Sequence, residues 1–192
     1  MKQFEGFKSE ASSAAYPMLP EGPYVAVIKA VKIDGQEPDQ TLVIRVDVSE
    51  GEHAKYFTNR YEHDKAAGGQ YEVKYKGDYR LRIPNPRNTK ALYPETDRRR
   101  FNDAIFRVEQ SNPGYTWDWD ENKLVGKTVG INMQAGEYNG APYTTIGRFE
   151  TANDVRNGIV KAMKPRKPRG EVASAPASEP AFTQVDNVDI PF

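Results

Sequence analysis

Residues 40–49 read QTLVIRVDVS, with Leu42, Ile44, Val46 and Val48 on one alternation and Val43, Arg45 and Asp47 on the other. A period of two places one set toward a core and the other toward solvent, which predicts a half-buried strand. The preceding stretch, GPYVAVIKAVKID, is β-branched and lies between Pro23 and the Asp34-Gly35 turn signal. It predicts a first strand, and the short link GQEPDQ predicts that the two form a hairpin. After Glu50-Gly51 the aromatic-rich stretch HAKYFTNRYEH reads as a third strand. Residues 65–95 then break the pattern. Two short strand-like pieces, QYEVKY and DYRLRI, sit among several Pro and Gly, so this segment is expected to be an inserted loop or extra hairpin.

The period then changes. Phe101, Ile105 and Val108 fall at i, i+4 and i+7, which predicts an amphipathic helix capped by Thr96 or Asp97 and ended by Ser111-Asn112-Pro113-Gly114. Two more strands, KTVGINMQA and PYTTIGRFET, flank Asn139-Gly140, a pair that favours a type I′ hairpin turn. ANDVRNGIVKAM predicts a short closing helix. The order is three strands, a helix and two strands. That is the connectivity of a five-stranded OB-fold barrel, with a helix between strands 3 and 4. The expected fold is therefore mainly β. Its expected organisation is an N-terminal arm over 1–20, an OB-fold domain over 21–163 with the 65–95 insertion, a disordered linker over 164–182, and an acidic tip over 183–192. The linker KPRKPRGEVASAPASEPAFTQ is rich in Lys, Pro, Ala and Ser and offers little to bury.

Composition alters this picture mainly through charge. The chain is formally neutral, but residues 170–192 hold four acids and no Lys or Arg, so the other 169 residues carry +4. Lys161, Lys164, Arg166, Lys167 and Arg169 put five cations in nine residues just before the tail. A basic body with an acidic tail is a common electrostatic footprint of nucleic-acid binding, although solubility alone accounts for it equally well. There is no Cys, hence no disulfide and no thiolate-bound metal. No run approaches the length of a membrane helix, and MKQFEGFKSEASSAAYP lacks a signal-peptide core, so no membrane association and a cytoplasmic location are expected.

Catalytic chemistry finds no foothold. Gly126-Lys127-Thr128 resembles the end of a P-loop, but the Gly required five places upstream is Glu121. His53 and His63 are the only histidines and lack a helical i+4 partner of ligand type, so no metal or other cofactor is expected. No Gly-x-Ser-x-Gly motif is present. Alternating acids at Asp118 and Asp120 fit a solvated loop. An enzyme is not expected.

Binding of single strands requires a cationic groove with aromatic faces on which bases stack. The expected third strand supplies Lys55, Tyr56, Arg60 and Tyr61, and the second supplies Arg45. The inserted segment supplies Lys74, Tyr75, Lys76, Arg80 and Arg82, with Tyr71 and Tyr79 beside them. The last hairpin carries Tyr138 and Tyr143 near its tip and Arg148 further along. Eleven Tyr against two Trp and eight Phe favour half-wet surfaces. Each single aromatic can equally be core, and Phe57, Phe101, Phe106 and Phe149 are the expected core members. Arg98-Arg99-Arg100 reads either as a solvated helix face or as a phosphate contact.

The chain ends in TQVDNVDIPF. Asp186 with Asp189-Ile190-Pro191-Phe192 resembles the C-terminus of bacterial single-stranded-DNA-binding proteins, in which an OB-fold is followed by a low-complexity linker and an acidic tip. SNPGYTWDW, LVGKTVG and GEYNG also resemble phage-encoded single-strand binders. The insertion and a tip with only two acids depart from the bacterial pattern. The resemblance implies that the protein coats single-stranded DNA in the infected bacterial cytoplasm, with homo-oligomerisation left open. It also implies that the tip docks replication and repair enzymes such as helicase, nuclease, primase or polymerase subunits. There Phe192 would enter an apolar pocket, worth ~1.5–3 kcal/mol if fully buried. Its α-carboxylate would pair with a basic residue, and the aspartates would meet surrounding cations. Two rival readings stay open: an OB-like adaptor or inhibitor that captures a host DNA-processing enzyme without coating DNA, and an RNA-binding OB protein.

Overall fold

The structure, a computed structural model, describes residues 15–68, 72–88 and 91–169. Its centre is a five-stranded antiparallel sheet built from β1 (Gly22–Asp34), β2 (Thr41–Val48), β3 (Asp78–Arg82), β4 (Thr128–Tyr138) and β5 (Ala141–Glu150), in the order β3-β2-β1-β4-β5. Among the described residues three α-helices accompany it: α1 (Tyr56–Ala66), α2 (Pro94–Ser111) and α3 (Ala152–Arg156).

One face of β2 is buried as read, but Val43 and Asp47 on the other face are buried as well, which leaves Arg45 as its partly exposed member. Leu42, Ile44, Val46 and Val48 are all buried in the main core, with Ala26 and Ile28 of β1 and Ile131 and Met133 of β4. β1 is long enough to serve two partners, pairing Ala26–Asp34 with β2 and Gly22–Val27 with β4. The sheet curls strongly. Tyr79 of β3 and Phe149 of β5, on opposite edge strands, meet with ring centroids 4.5 Å apart. Among the described residues no strand pairing joins β3 to β5. α2 closes the core with Phe101, Ala104, Ile105 and Val108, starting from Pro94 at its first position. Phe106 points away from that stripe and is 49% exposed, so it is not the core member expected. Asn139 and Gly140 have φ of 50° and 76°, the left-handed pair that a type I′ turn requires.

The expected third strand is a helix. Residues 56–66 form α1, and Tyr56 and Phe57 are both buried although adjacent. A half-buried strand would send neighbours to opposite faces, whereas the first turn of a helix can bury both. Two features fix this turn. Lys55 takes a left-handed φ of 61°, and the buried Asp47 of β2 accepts from Phe57 N at 2.9 Å and from Thr58 Oγ1 at 2.5 Å. A side chain distant in sequence thus satisfies the helix N-terminus. The true third strand, β3, comes from DYRLR inside the expected insertion. Residues 72–75 of QYEVKY form no strand.

Both expected flanking arms contain packed chain. Leu19 is 1% exposed; its backbone N–H donates to the Tyr56 hydroxyl at 2.8 Å, and its carbonyl accepts from Thr144 Oγ1 at 2.8 Å. At the other end, α3 stops at Arg156, shorter than expected. The chain then crosses the β4–β5 hairpin. Residues 164–169, expected to begin a disordered linker, are hydrogen-bonded to β4. Among the described residues no helix is long and apolar enough to cross a membrane.

Candidate nucleic-acid interface

The outward side chains of β1, β2 and β3 follow from register. Ala30 lies opposite Arg45, Lys32 opposite Val43 and Asp34 opposite Thr41, while Arg45, Val43 and Thr41 in turn face Asp78, Arg80 and Arg82. Arg45, Arg80 and Arg82 therefore share one outer face. Each is met by an acid. Arg45 forms a bidentate pair with Asp78 at 2.8 and 3.0 Å. Arg80 reaches Asp34 at 2.6 Å and Arg82 reaches Asp39 at 2.8 Å. The Asp78 hydrogen bond raises the Arg45 guanidinium further above its already high value. The Arg80 hydrogen bond holds the Asp34 carboxyl below the usual carboxylate range.

An aromatic group lies at one end of this face. The Tyr75 ring sits under the Arg45 guanidinium, 4.6 Å from centroid to Cζ, and Tyr61 of α1 is 5.9 Å away. The Tyr75 hydroxyl donates to Val46 O at 3.2 Å. Burial pushes that hydroxyl up to about 12. Lys74 and Lys76 flank Tyr75 and are exposed. Lys55 is exposed at the start of α1. Arg60 points back at the Tyr56 hydroxyl, 3.2 Å away, with Asp64 beside it at 3.7 Å. Tyr56 itself is no surface aromatic. It is 6% exposed, and its hydroxyl donates to Pro17 O at 2.9 Å.

A second group lies on the β4–β5 hairpin. Tyr138 is 59% exposed, and Tyr143 is partly exposed opposite Gly136. Two places apart in register, they share one face. The Tyr143 ring lies over Gly136, where a Cβ would stand 2.6 Å from it and oblige the ring to move. Arg148 lies further down the hairpin and pairs with the buried Glu150 at 2.5 Å. Asn132, wholly buried beneath the crossing chain, donates to Glu150 at 3.2 Å and to Lys161 O at 3.0 Å.

The feature that sequence reasoning missed is the path of residues 159–169, termed the strap. Gln134 Nε2 donates to Lys164 O at 2.7 Å, and Arg166 Nε donates to Gln134 Oε1 at 2.9 Å. Arg166 N donates to Ala135 O at 2.8 Å, Arg169 N to Glu137 O at 3.1 Å, and Asn139 N to Arg169 O at 3.0 Å. Tyr138 and Arg169 thereby form a parallel bridge. The strap uses the stretch of β4 that β1 leaves free beyond Met133. Its only sequence signal is the run of five cations. Alternation with Pro165 and Pro168 makes that run read as a linker. Tyr71 and the tail residues Asp186, Asp189, Ile190, Pro191 and Phe192 lie outside the described residues.

Compared with known protein families and with curated proteins, the sequence has no match.

Proposed function

We propose that this protein binds single-stranded DNA without strong sequence preference, and that it protects exposed strands during replication, recombination or repair. The observation that carries the reading is the distribution of partly exposed aromatics and cations over the outer side of one curled sheet. Tyr61, Tyr75 and Arg45 lie at one end, and Tyr138 and Tyr143 lie on the β4–β5 hairpin. Rings half-exposed beside cations suit bases that can be splayed from a single strand, and duplex bases are not available to stack in this way. The order β3-β2-β1-β4-β5 with α2 between β3 and β4 fits an OB-type barrel, and the Tyr79–Phe149 contact draws the edge strands together as such a barrel needs. The Asp-Ile-Pro-Phe segment adds, by resemblance, recruitment of replication and repair enzymes.

Labelled oligo-dT and a duplex of the same length, titrated across a salt series, test the reading. The single strand should bind far more tightly, with log affinity falling linearly in log salt. Equal affinity for both, or no binding at low salt, overturns it. A second reading has its own support: Arg45, Arg80 and Arg82 are each neutralised by an acid, as on a face that does not take phosphates. On that reading the protein is an adaptor that captures a DNA-processing enzyme and binds neither oligonucleotide.

A further inference from the structure

We infer that residues 161–169 of the strap, together with Tyr138 and Tyr143, form the principal binding surface for a single-stranded polyanion, and that the outer face of β1–β3 contributes little to it. The inference rests on the single-strand reading above and says where on the molecule the strand lies.

Charge availability decides between the two regions. A phosphate arriving at Arg45, Arg80 or Arg82 must displace a carboxylate already 2.6–3.0 Å away and then lie beside it. The exchange swaps one ion pair for another and creates a repulsion. Lys161, Lys164, Lys167 and Arg169 are all exposed and have no carboxylate partner among the described residues. A phosphate there displaces only counterions, whose release favours binding.

Preorganisation points the same way. Backbone hydrogen bonds at Arg166 and Arg169 and side-chain bonds from Asn132 and Gln134 hold the strap in register with β4. Met163 packs so closely over Gly147 that a Cβ there would stand 2.5 Å from its sulfur. Pro165 and Pro168 further restrict the backbone. The cations are thus held beside the hairpin, and little order remains to be imposed on binding. The parallel bridge sets Arg169 beside Tyr138, so a phosphate on the strap leaves its base within reach of an exposed ring.

The test compares two variants of the full chain, each checked for an unchanged circular dichroism spectrum. One is K161Q/K164Q/K167Q/R169Q and the other is R45Q/R80Q/R82Q. Oligo-dT binding is measured across a salt series. Four lost phosphate contacts should make the single-strand salt slope shallower by about 2–3 and lower the low-salt affinity at least 100-fold. The β1–β3 variant should change affinity by less than about 3-fold. Dominant loss in the β1–β3 variant, with the strap variant near wild type, overturns the strap assignment and leaves the single-strand reading standing. If wild type binds no oligo-dT, both fail. Poly-glutamate competing as well as dT of equal charge overturns the nucleic-acid assignment in favour of an acidic protein partner. As an independent readout, iododeoxyuridine oligonucleotides should photo-crosslink to Tyr138 or Tyr143. Crosslinks confined to Tyr61 or Tyr75 overturn the inference.

Discussion

The outer face of β1–β3 and the strapped β4–β5 hairpin have similar compositions and opposite electrostatics. Both offer tyrosines and several basic side chains. On the first, antiparallel register sets Asp78 beside Arg45, and the loop acid Asp39 meets Arg82, so the cations are spent inside the protein. On the second, Arg148 pairs with Glu150, but Lys161, Lys164, Lys167 and Arg169 arrive on a segment outside the sheet and have no carboxylate partner among the described residues. A count of Lys and Arg along a chain therefore says little about which surface attracts phosphate. The pairing of each cation decides it.

The sharpest way to break the contrast is to swap buried for exposed tyrosine. Tyr56→Ala removes a core ring and leaves the Leu19 N–H without its partner. It should destabilise the fold by ~3–5 kcal/mol in urea unfolding. Tyr138→Ala should stay within about 0.5 kcal/mol of wild type. A stable Tyr56→Ala variant that loses only DNA binding would reverse the assignment of inside and outside.

The next effect is on affinity. Tyr138→Ala with Tyr143→Ala should weaken oligo-dT binding by ~1–3 kcal/mol per lost stack. The same measurement on Tyr61→Ala should change little. Comparable losses at both ends would mean that a strand spans the whole sheet.

A smaller effect concerns pH. The Tyr75 hydroxyl has an ordinary value of 10.0 and is pushed up to about 12, chiefly by burial. The unfolded chain releases this proton first, so the stabilisation is complete below about 10 and is lost as pH rises through about 12. Solvent screening of the half-exposed ring limits the effect to about 1 kcal/mol. Tyr24, Tyr79 and Tyr115 are also raised and contribute to the same fall. Tyr75→Phe should make the decline between pH 10 and 12 shallower in thermal unfolding, and an unchanged slope would mean that the ring is wetter than described. Smallest of all, Arg45→Gln should lower stability by ~0.5–1 kcal/mol, since a part-exposed pair contributes little. A larger loss of DNA affinity than of stability would return weight to the β1–β3 face.

Where burial followed local period, the sequence was legible. β1, β2, α2 and the β4–β5 hairpin lie where alternation, the i, i+4, i+7 stripe and Asn139-Gly140 place them. Three features depended on contacts between distant residues. Residues 56–66 became helical because Asp47, ten positions upstream, caps the turn that buries Tyr56 and Phe57 side by side. DYRLR became the third strand because β2 had a free edge for it. The basic segment 161–169 became a strap because β1 ends at Gly22 and leaves the outer part of β4 unpaired. Short-range pattern was enough to locate β1, β2, α2 and the β4–β5 turn, since alternation, the helical stripe and the φ preference of Asn139-Gly140 are local, but it put Tyr56 outside and Phe106 inside. Which edge each ambiguous segment joined, and which cations met an acid, depended on partners far along the chain, because a hydrogen-bond partner or counter-charge tens of residues away leaves no trace in local period.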